Sequence, residues 1–303
     1  MSPGGALATP RQIRDHVPCM TANGPEHVWA LRLFEKSILK QAKYRALVRT
    51  IGDTSEKDCL DLGSDNGVIS YLLRSRGGRW TSADLSEKAV ASIRSLVGTD
   101  VHLVDGIHMP FADGSFDRVV VIDLLEHVRD DTRCVAELAR ILRPGGELVV
   151  NTPHAKTLSL VRPLRERLGL TDEWHGHVRP GYTRASLRAL LQGGFRVEGA
   201  STYSKFFSES LDVALNYVYL RSHGAARGDT AKGTVVTQSD LEKSARQFRL
   251  LARLYPLLWL WAKLDALCVG TQGYYLIVKA RRTDDALRSA CREIPPQATL
   301  STP

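Results

Sequence analysis

Leu60-Asp61-Leu62-Gly63-Ser64-Asp65-Asn66-Gly67 is the stretch on which the fold of this chain turns. An apolar run from Cys59 ends at Asp61-Leu62, two glycines follow within five residues, and Val68 to Leu73 resumes at once with helical spacing. That order predicts a strand, a tight turn and a helix. The glycines supply the positive φ and the close backbone approach that such a turn needs. Alternation of the same kind continues in both directions. Arg79–Asp84 reads as a second strand, Ser86 as the cap of a helix running to Val97, and Val101–Val104 as a third strand. Phe116–Ile122 is a continuous apolar run that suits a strand buried on both faces. Thr132–Leu142 reads as a helix stopped by Pro144-Gly145-Gly146, and Glu147–Asn151 as strand five. Beyond these, Thr183 caps a helix to Leu191, and Phe195–Tyr203 and Gly273–Ala280 read as the last two strands. The expected fold is α/β: a Rossmann-like, seven-stranded, mostly parallel sheet with helices on both faces and a helical insertion between the last two strands.

A glycine-rich turn after one strand is shared by many nucleotide-binding folds, so the other strand ends carry the specificity. Asp84 closes the second strand, 23 residues after Asp61, where a carboxylate takes two ribose hydroxyls. Asp105-Gly106 closes the third and precedes Met109-Pro110-Phe111. Phe116-Asp117-Arg118-Val119 opens the fourth, and Leu142-Arg143-Pro144-Gly145-Gly146 leads into the fifth. Across residues 57–200 this set resembles the class I S-adenosylmethionine-dependent methyltransferase superfamily, of the small-molecule type. The departure is Asp65, which stands where the family has a second glycine; either the loop is reshaped or Asp65 takes a positive φ. The resemblance implies S-adenosyl-L-methionine as cofactor. It places Gly63, Ser64 and Gly67 along the methionine part, Asp61 near its ammonium, Asp84 and Leu85 at the ribose, Asp105 and Gly106 at the adenine, and Asp123 on the floor near the sulfonium.

Two histidine groups are candidates for the acceptor side. Glu126-His127 follows strand four, and Trp174-His175-Gly176-His177-Val178-Arg179 precedes Tyr182-Thr183. Methyl transfer to oxygen or nitrogen requires a held nucleophile and a route for its proton, and histidine titrates near neutrality. His177 and His127 are therefore the candidate catalytic bases, with Trp174, His175, Arg179 and Tyr182 as substrate-facing candidates. An HxH pair with His154 does not define a metal site, so no metal is expected. Five cysteines without a CxxC pair argue against a zinc site or disulfide framework.

The expected domains are a flexible leader (1–25), an N-terminal helical cap with one break (26–56), the core (57–205), a helical insertion or lid (206–270), the final strand (271–282) and a flexible tail (283–303). The insertion holds helical stretches at 206–221 and 240–268, the second with Pro256 splitting or kinking it. On a helical wheel Arg246, Arg249, Arg253 and Lys263 fall within about 100°, beside Leu257-Leu258-Trp259-Leu260-Trp261. That suits either a lid or an interfacial helix on anionic lipid, over a pocket expected to be apolar and roomy.

The chain carries a formal net charge of +8, but Asp58 to Pro153 holds ten Lys/Arg against fifteen Asp/Glu. An acidic core thus stands between basic flanks. No secretory signal is legible, which points to the cytoplasm with peripheral membrane contact as an option; oligomeric state is not legible. The leading expectation is an enzyme methylating a hydroxyl or amine of a small, apolar, lipid-linked or glycosylated acceptor. The alternatives are an RNA methyltransferase, which basic flanks favour but no RNA-binding module accompanies, and a non-catalytic cofactor-binding regulator. No stable nucleic-acid partner is expected.

Overall fold

The computed structural model describes residues 25–98, 100–156, 159–223 and 245–283. The expected leader, the tail beyond 283 and the Ser222–Thr237 link therefore lie wholly or mostly outside the described residues. Two helices, α1 (Pro25–Glu35) and α2 (Ile38–Ile51), precede the sheet, with Ser37 capping α2 at the expected break. The sheet and its first crossovers are β1 (Asp58–Leu62), α3 (Val68–Arg74), β2 (Arg79–Asp84), α4 (Glu87–Val97), β3 (Val101–Leu103) and β4 (Phe116–Ile122). They continue as α5 (Asp131–Ile141), β5 (Leu142–Pro153), α6 (Arg162–Arg167), α7 (Arg184–Leu191) and β6 (Phe195–Tyr203). The insertion contributes α8 (Phe206–His223) and α9 (Ala245–Lys263), and β7 (Tyr275–Arg282) closes the sheet.

The strand order is β3-β2-β1-β4-β5-β7-β6, with β7 antiparallel to both its neighbours. The hydrophobic alternation of β4 explains the layers. Val119 and Val121 join Leu60, Leu62, Leu148 and Val150 under α5 and α7, which bring Leu138, Ile141, Leu187 and Leu191. Val120 and Ile122 face the other way, with Val149, onto Leu47 and Ile51 of α2 and Leu72 and Leu73 of α3.

Two expectations need correction. Pro144-Gly145-Gly146 does not separate helix from strand. β5 begins at Leu142, which pairs with Phe116, and Arg143–Gly146 is accommodated as an irregularity before Glu147 pairs with Arg118. Gly145 at φ 72° makes that excursion possible. Pro256 does not split its helix, because α9 runs through it from Ala245 to Lys263. Pro256 lies on the exposed side, where water can meet the carbonyl a proline leaves unbonded.

Candidate functional site

The loop after β1 has three residues at positive φ: Gly63 (91°), Asp65 (59°) and Gly67 (80°). Asp65 thus adopts the left-handed geometry of the glycine it replaces, which aspartate tolerates better than most residues. At Gly67, the N-cap of α3, an added Cβ would lie 2.7 Å from the Ile93 Cα, so only glycine lets α3 start against α4.

Asp61 is buried under this loop. Its carboxylate accepts hydrogen bonds from the hydroxyls of Ser64 (2.6 Å), Ser70 (2.6 Å) and Ser82 (2.7 Å), and Arg74 lies 3.4 Å away. These donors belong to the loop, to α3 and to β2, so Asp61 ties three segments together beneath the cradle. Asp84 is also buried and sits at the end of β2, where the Asp65 and Ser86 amides each donate to it at 3.3 Å. Asn66 places its Nδ2 in the interior without a hydrogen-bond partner.

Asp105 heads a turn in which the Ile107 (2.8 Å) and His108 (2.6 Å) amides and the His108 ring (2.9 Å) bond its carboxylate. Partial burial opposes ionisation there, yet these bonds hold its pKa at about 2. Gly106 is buried, and a Cβ on it would lie 2.7 Å from Val128 and 3.3 Å from Leu85. Its bare backbone lets this turn close on the residues that follow β2 and β4.

At the end of β4, Asp123 has φ 45°. It accepts from Asn151 Nδ2 (2.7 Å) and pairs with Lys43 of α2. Lys43 also lies 4.8 Å from the centre of the Tyr275 ring. Tyr203 donates to Asn151 Oδ1 (2.6 Å) and stacks on Tyr275. Burial disfavours the Lys43 charge, but the Asp123 carboxylate overrides this and raises its pKa. Lys40, one turn earlier, is 3.7 Å from Asp65. Nothing in the sequence marks this lysine pair, which reads as the polar face of an amphipathic helix. The Asn151-Thr152 dipeptide, polar inside an apolar strand, was the available signal for the other half.

The two histidine groups converge. His127 and His177 meet edge to face at 4.9 Å between ring centres, and His175 stacks on His177 at 5.3 Å. His127 Nδ1 lies 3.1 Å from the Gly176 carbonyl. A carbonyl only accepts, so Nδ1 carries a proton. His177 Nδ1 and His175 Nε2 are buried without hydrogen-bond partners. Burial, helped by Arg165, lowers their pKa values to about 4 and about 2 respectively, so both rings are neutral at pH 7. Glu126, His127 and His177 also offer ligand atoms within 4.8 Å of one another, a grouping that HxH spacing did not suggest.

Arg179 and Tyr182 are spent within the protein. Arg179 bonds the carbonyls of Val128 (2.9 Å) and Arg129 (2.8 Å) and pairs with Asp131, to which Tyr182 also donates (2.7 Å). They fasten the histidine loop to the segment after β4. Trp174 packs against His175 and a small cluster of Val161, Leu170 and Val213. Beside His177 opens a cavity of about 310 Å³, lined among others by Lys156, Arg165, Asp172, Glu209 and Tyr274. The lining of this cavity is charged, and the segment between β5 and α7 supplies most of it, with Glu209 of α8 and Tyr274. Gly181 permits this, since a Cβ there would lie 2.1 Å from the Pro153 carbonyl oxygen.

Residues 60–150 match the family model described as Methyltransferase domain. The chain is 34% identical over 102 residues to the ubiquinone biosynthesis O-methyltransferase of Aromatoleum aromaticum, covering 32% of this chain and 44% of that protein. It is 33% identical over 122 residues to the demethylmenaquinone methyltransferase of Clavibacter sepedonicus, covering 39% and 49%. The chain spans about half the length of these curated relatives. Among solved structures, the 4+2-cyclase SpnF shares the fold with a TM-score of 0.53 at 21% identity, over 82% of this chain and 83% of that one. Over residues 60–150 the chain thus carries a methyltransferase domain similar to that of the S-adenosylmethionine-dependent methyltransferases.

Proposed function

We propose that this chain transfers a methyl group from S-adenosylmethionine to a hydroxyl or amine of a small acceptor with a polar, glycosylated or otherwise charged-pocket-compatible head and a lipid-like remainder. The observation that carries the reading is the succession of Asp84 and Asp105 at neighbouring strand ends beside a loop of positive φ, in a chain that also brings His127 after β4 against His177. The residues suit this cofactor. Asp84 and Asp105 are acceptors for hydroxyl and amino groups. Gly63 and Gly67 leave backbone room, and Asn66 Nδ2 is a buried donor in want of an acceptor. When bound, the cofactor supplies an electrophilic methyl group. The chain's own part is then to hold the acceptor in line and relieve it of a proton.

His127, whose Nδ1 is engaged by the Gly176 carbonyl, would use Nε2 to accept that proton, and His177 would orient the acceptor against it. Asp61 acts through Ser64 and Ser70 as a positioning residue for the loop, and Arg179 and Tyr182 position the histidine loop. The fully apolar acceptor is disfavoured by the charged cavity wall, so the apolar part of the molecule belongs outside it. The test is incubation with isotopically labelled methyl donor and mass spectrometry of labelled products. Binding of S-adenosylhomocysteine with no labelled product from any extract fraction would favour the regulatory alternative instead.

A further inference from the structure

Among the described residues, part of the α9 surface is left without a packing partner. α9 packs on α8 and α2 at separate points: Trp261 donates to the Phe207 carbonyl and the Ser210 hydroxyl, both at 3.1 Å, and Gln41 reaches Tyr255 at 3.3 Å. Between and beside these contacts Leu250, Leu254, Leu257 and Leu260 stay exposed, Leu257 by 65% and Leu260 by 57%, and the chain continues into Leu267 and Val269, 74% and 83% exposed. At 100° per residue, Leu250, Leu254 and Leu257 occupy an arc of about 60°, and Lys263, Arg249 and Arg253 an adjoining arc of about 80°, with Leu260 among the arginines. Contiguous exposed apolar strips mark interaction surfaces.

Charge identifies the occupant. The 19 residues of α9 contain four Lys/Arg and no carboxylate. Pairing of this face with its copy would gather the cations of both helices with no acid from either to neutralise them. An anionic bilayer surface complements both arcs, the leucines entering the acyl boundary and the arginine and lysine stems reaching up to phosphates. No helix among the described residues is long and apolar enough to cross a membrane, which leaves docking in the interface plane. We infer that α9 docks this protein on anionic lipid membrane through Leu250, Leu254, Leu257 and Leu260, flanked by Arg249, Arg253 and Lys263. α2 touches α9 through Gln41 and Asp123 through Lys43, so the docked helix lies one helix away from the strand ends where the cofactor residues gather.

The docking inference does not depend on methyl transfer, and S-adenosylhomocysteine binding is measured on every variant to keep the two readings apart. The full chain is mixed with phosphatidylcholine vesicles with and without phosphatidylglycerol. Sedimentation with the anionic vesicles only, falling as salt rises, and a blue shift of Trp259 and Trp261 emission are expected. Arg249→Gln with Arg253→Gln should weaken partition about 30-fold, and Leu257→Gln with Leu260→Gln about 100-fold. Both pairs should leave thermal midpoint and S-adenosylhomocysteine affinity unchanged, since these side chains are exposed. Partition that ignores the leucine pair would reduce the contact to general charge adsorption and overturn the proposal. Absence of partition overturns it too, and a dimer in sedimentation velocity that Leu257→Gln with Leu260→Gln dissolves would assign the face to a second copy of the chain.

Discussion

The ammonium of Lys43, on the N-terminal cap, is seated on the carboxylate of Asp123, at the end of the fourth strand. The pair is mostly buried and bridges two parts of the chain 80 residues apart. Removing one partner leaves the other's charge in the interior, so Lys43→Met should cost about 3–5 kcal/mol of unfolding free energy. Adding Asp123→Asn should recover much of that. Urea denaturation of the two single variants and the double variant measures the coupling, and simple additivity would show that the pair contributes nothing.

Two aspartates 23 residues apart should behave differently. Asp84→Ala should weaken S-adenosylhomocysteine binding by about 1.5–3 kcal/mol, the scale of a hydrogen bond to a charged group, with a small effect on stability. Asp61→Ala strands three buried hydroxyls and Arg74, so it should lower the thermal midpoint first. Calorimetry for binding and for unfolding separates them. Unchanged affinity in Asp84→Ala removes the ribose assignment.

His127→Ala should reduce turnover by about 10²–10⁴-fold, the range of a lost acid–base contribution, while leaving S-adenosylhomocysteine affinity nearly intact. His177→Ala should also lower turnover with that affinity kept, through the lost orientation of the acceptor. EDTA should not alter the rate of the unmodified protein. A rate lost to EDTA and restored by a divalent ion would reassign Glu126, His127 and His177 as ligands.

Acid sensitivity has a defined sign. The folded pKa values of His177 and His175 lie below the ordinary 6.5, at about 4 and about 2. The unfolded chain therefore binds more protons than the folded one below pH 6.5, and stability falls as pH drops. His177 alone should account for roughly 3 kcal/mol between pH 6.5 and 4. Asp212, raised by burial to about 6, pulls the opposite way, because its folded form takes up a proton earlier than its unfolded one. Unfolding free energies at intervals from pH 7 to 4 should show a slope that His177→Gln reduces.

Much of the fold was legible because its signals are local. Ser86 and Thr183 cap α4 and α7 as their side chains predict, and the Phe116–Ile122 run forms the buried strand expected of it. The positive φ of Asp65 resolves the alternative left open by its place in the loop. The Lys43–Asp123 contact was not legible, because nothing in a helix of mixed polarity tells which lysine will turn inward. Arg179 and Tyr182 sit next to the candidate histidines in sequence, yet only the fold reveals Asp131 as their partner. The cavity's charged wall was hidden for the same reason: Lys156 and Glu209 are 53 residues apart and meet across two elements.

The strand order also governs how the chain can be made. β6 touches the sheet only through β7, and β7 lies between β5 and β6. On a ribosome, five parallel strands are complete once Pro153 has emerged, but the outer edge of β5 then waits, unpaired, until synthesis reaches Arg282. Everything from the histidine loop to α9 is produced in that interval. The newborn sheet carries an adhesive margin throughout the synthesis of the residues between Pro153 and Tyr275, and a chain stopped anywhere in that stretch keeps it permanently.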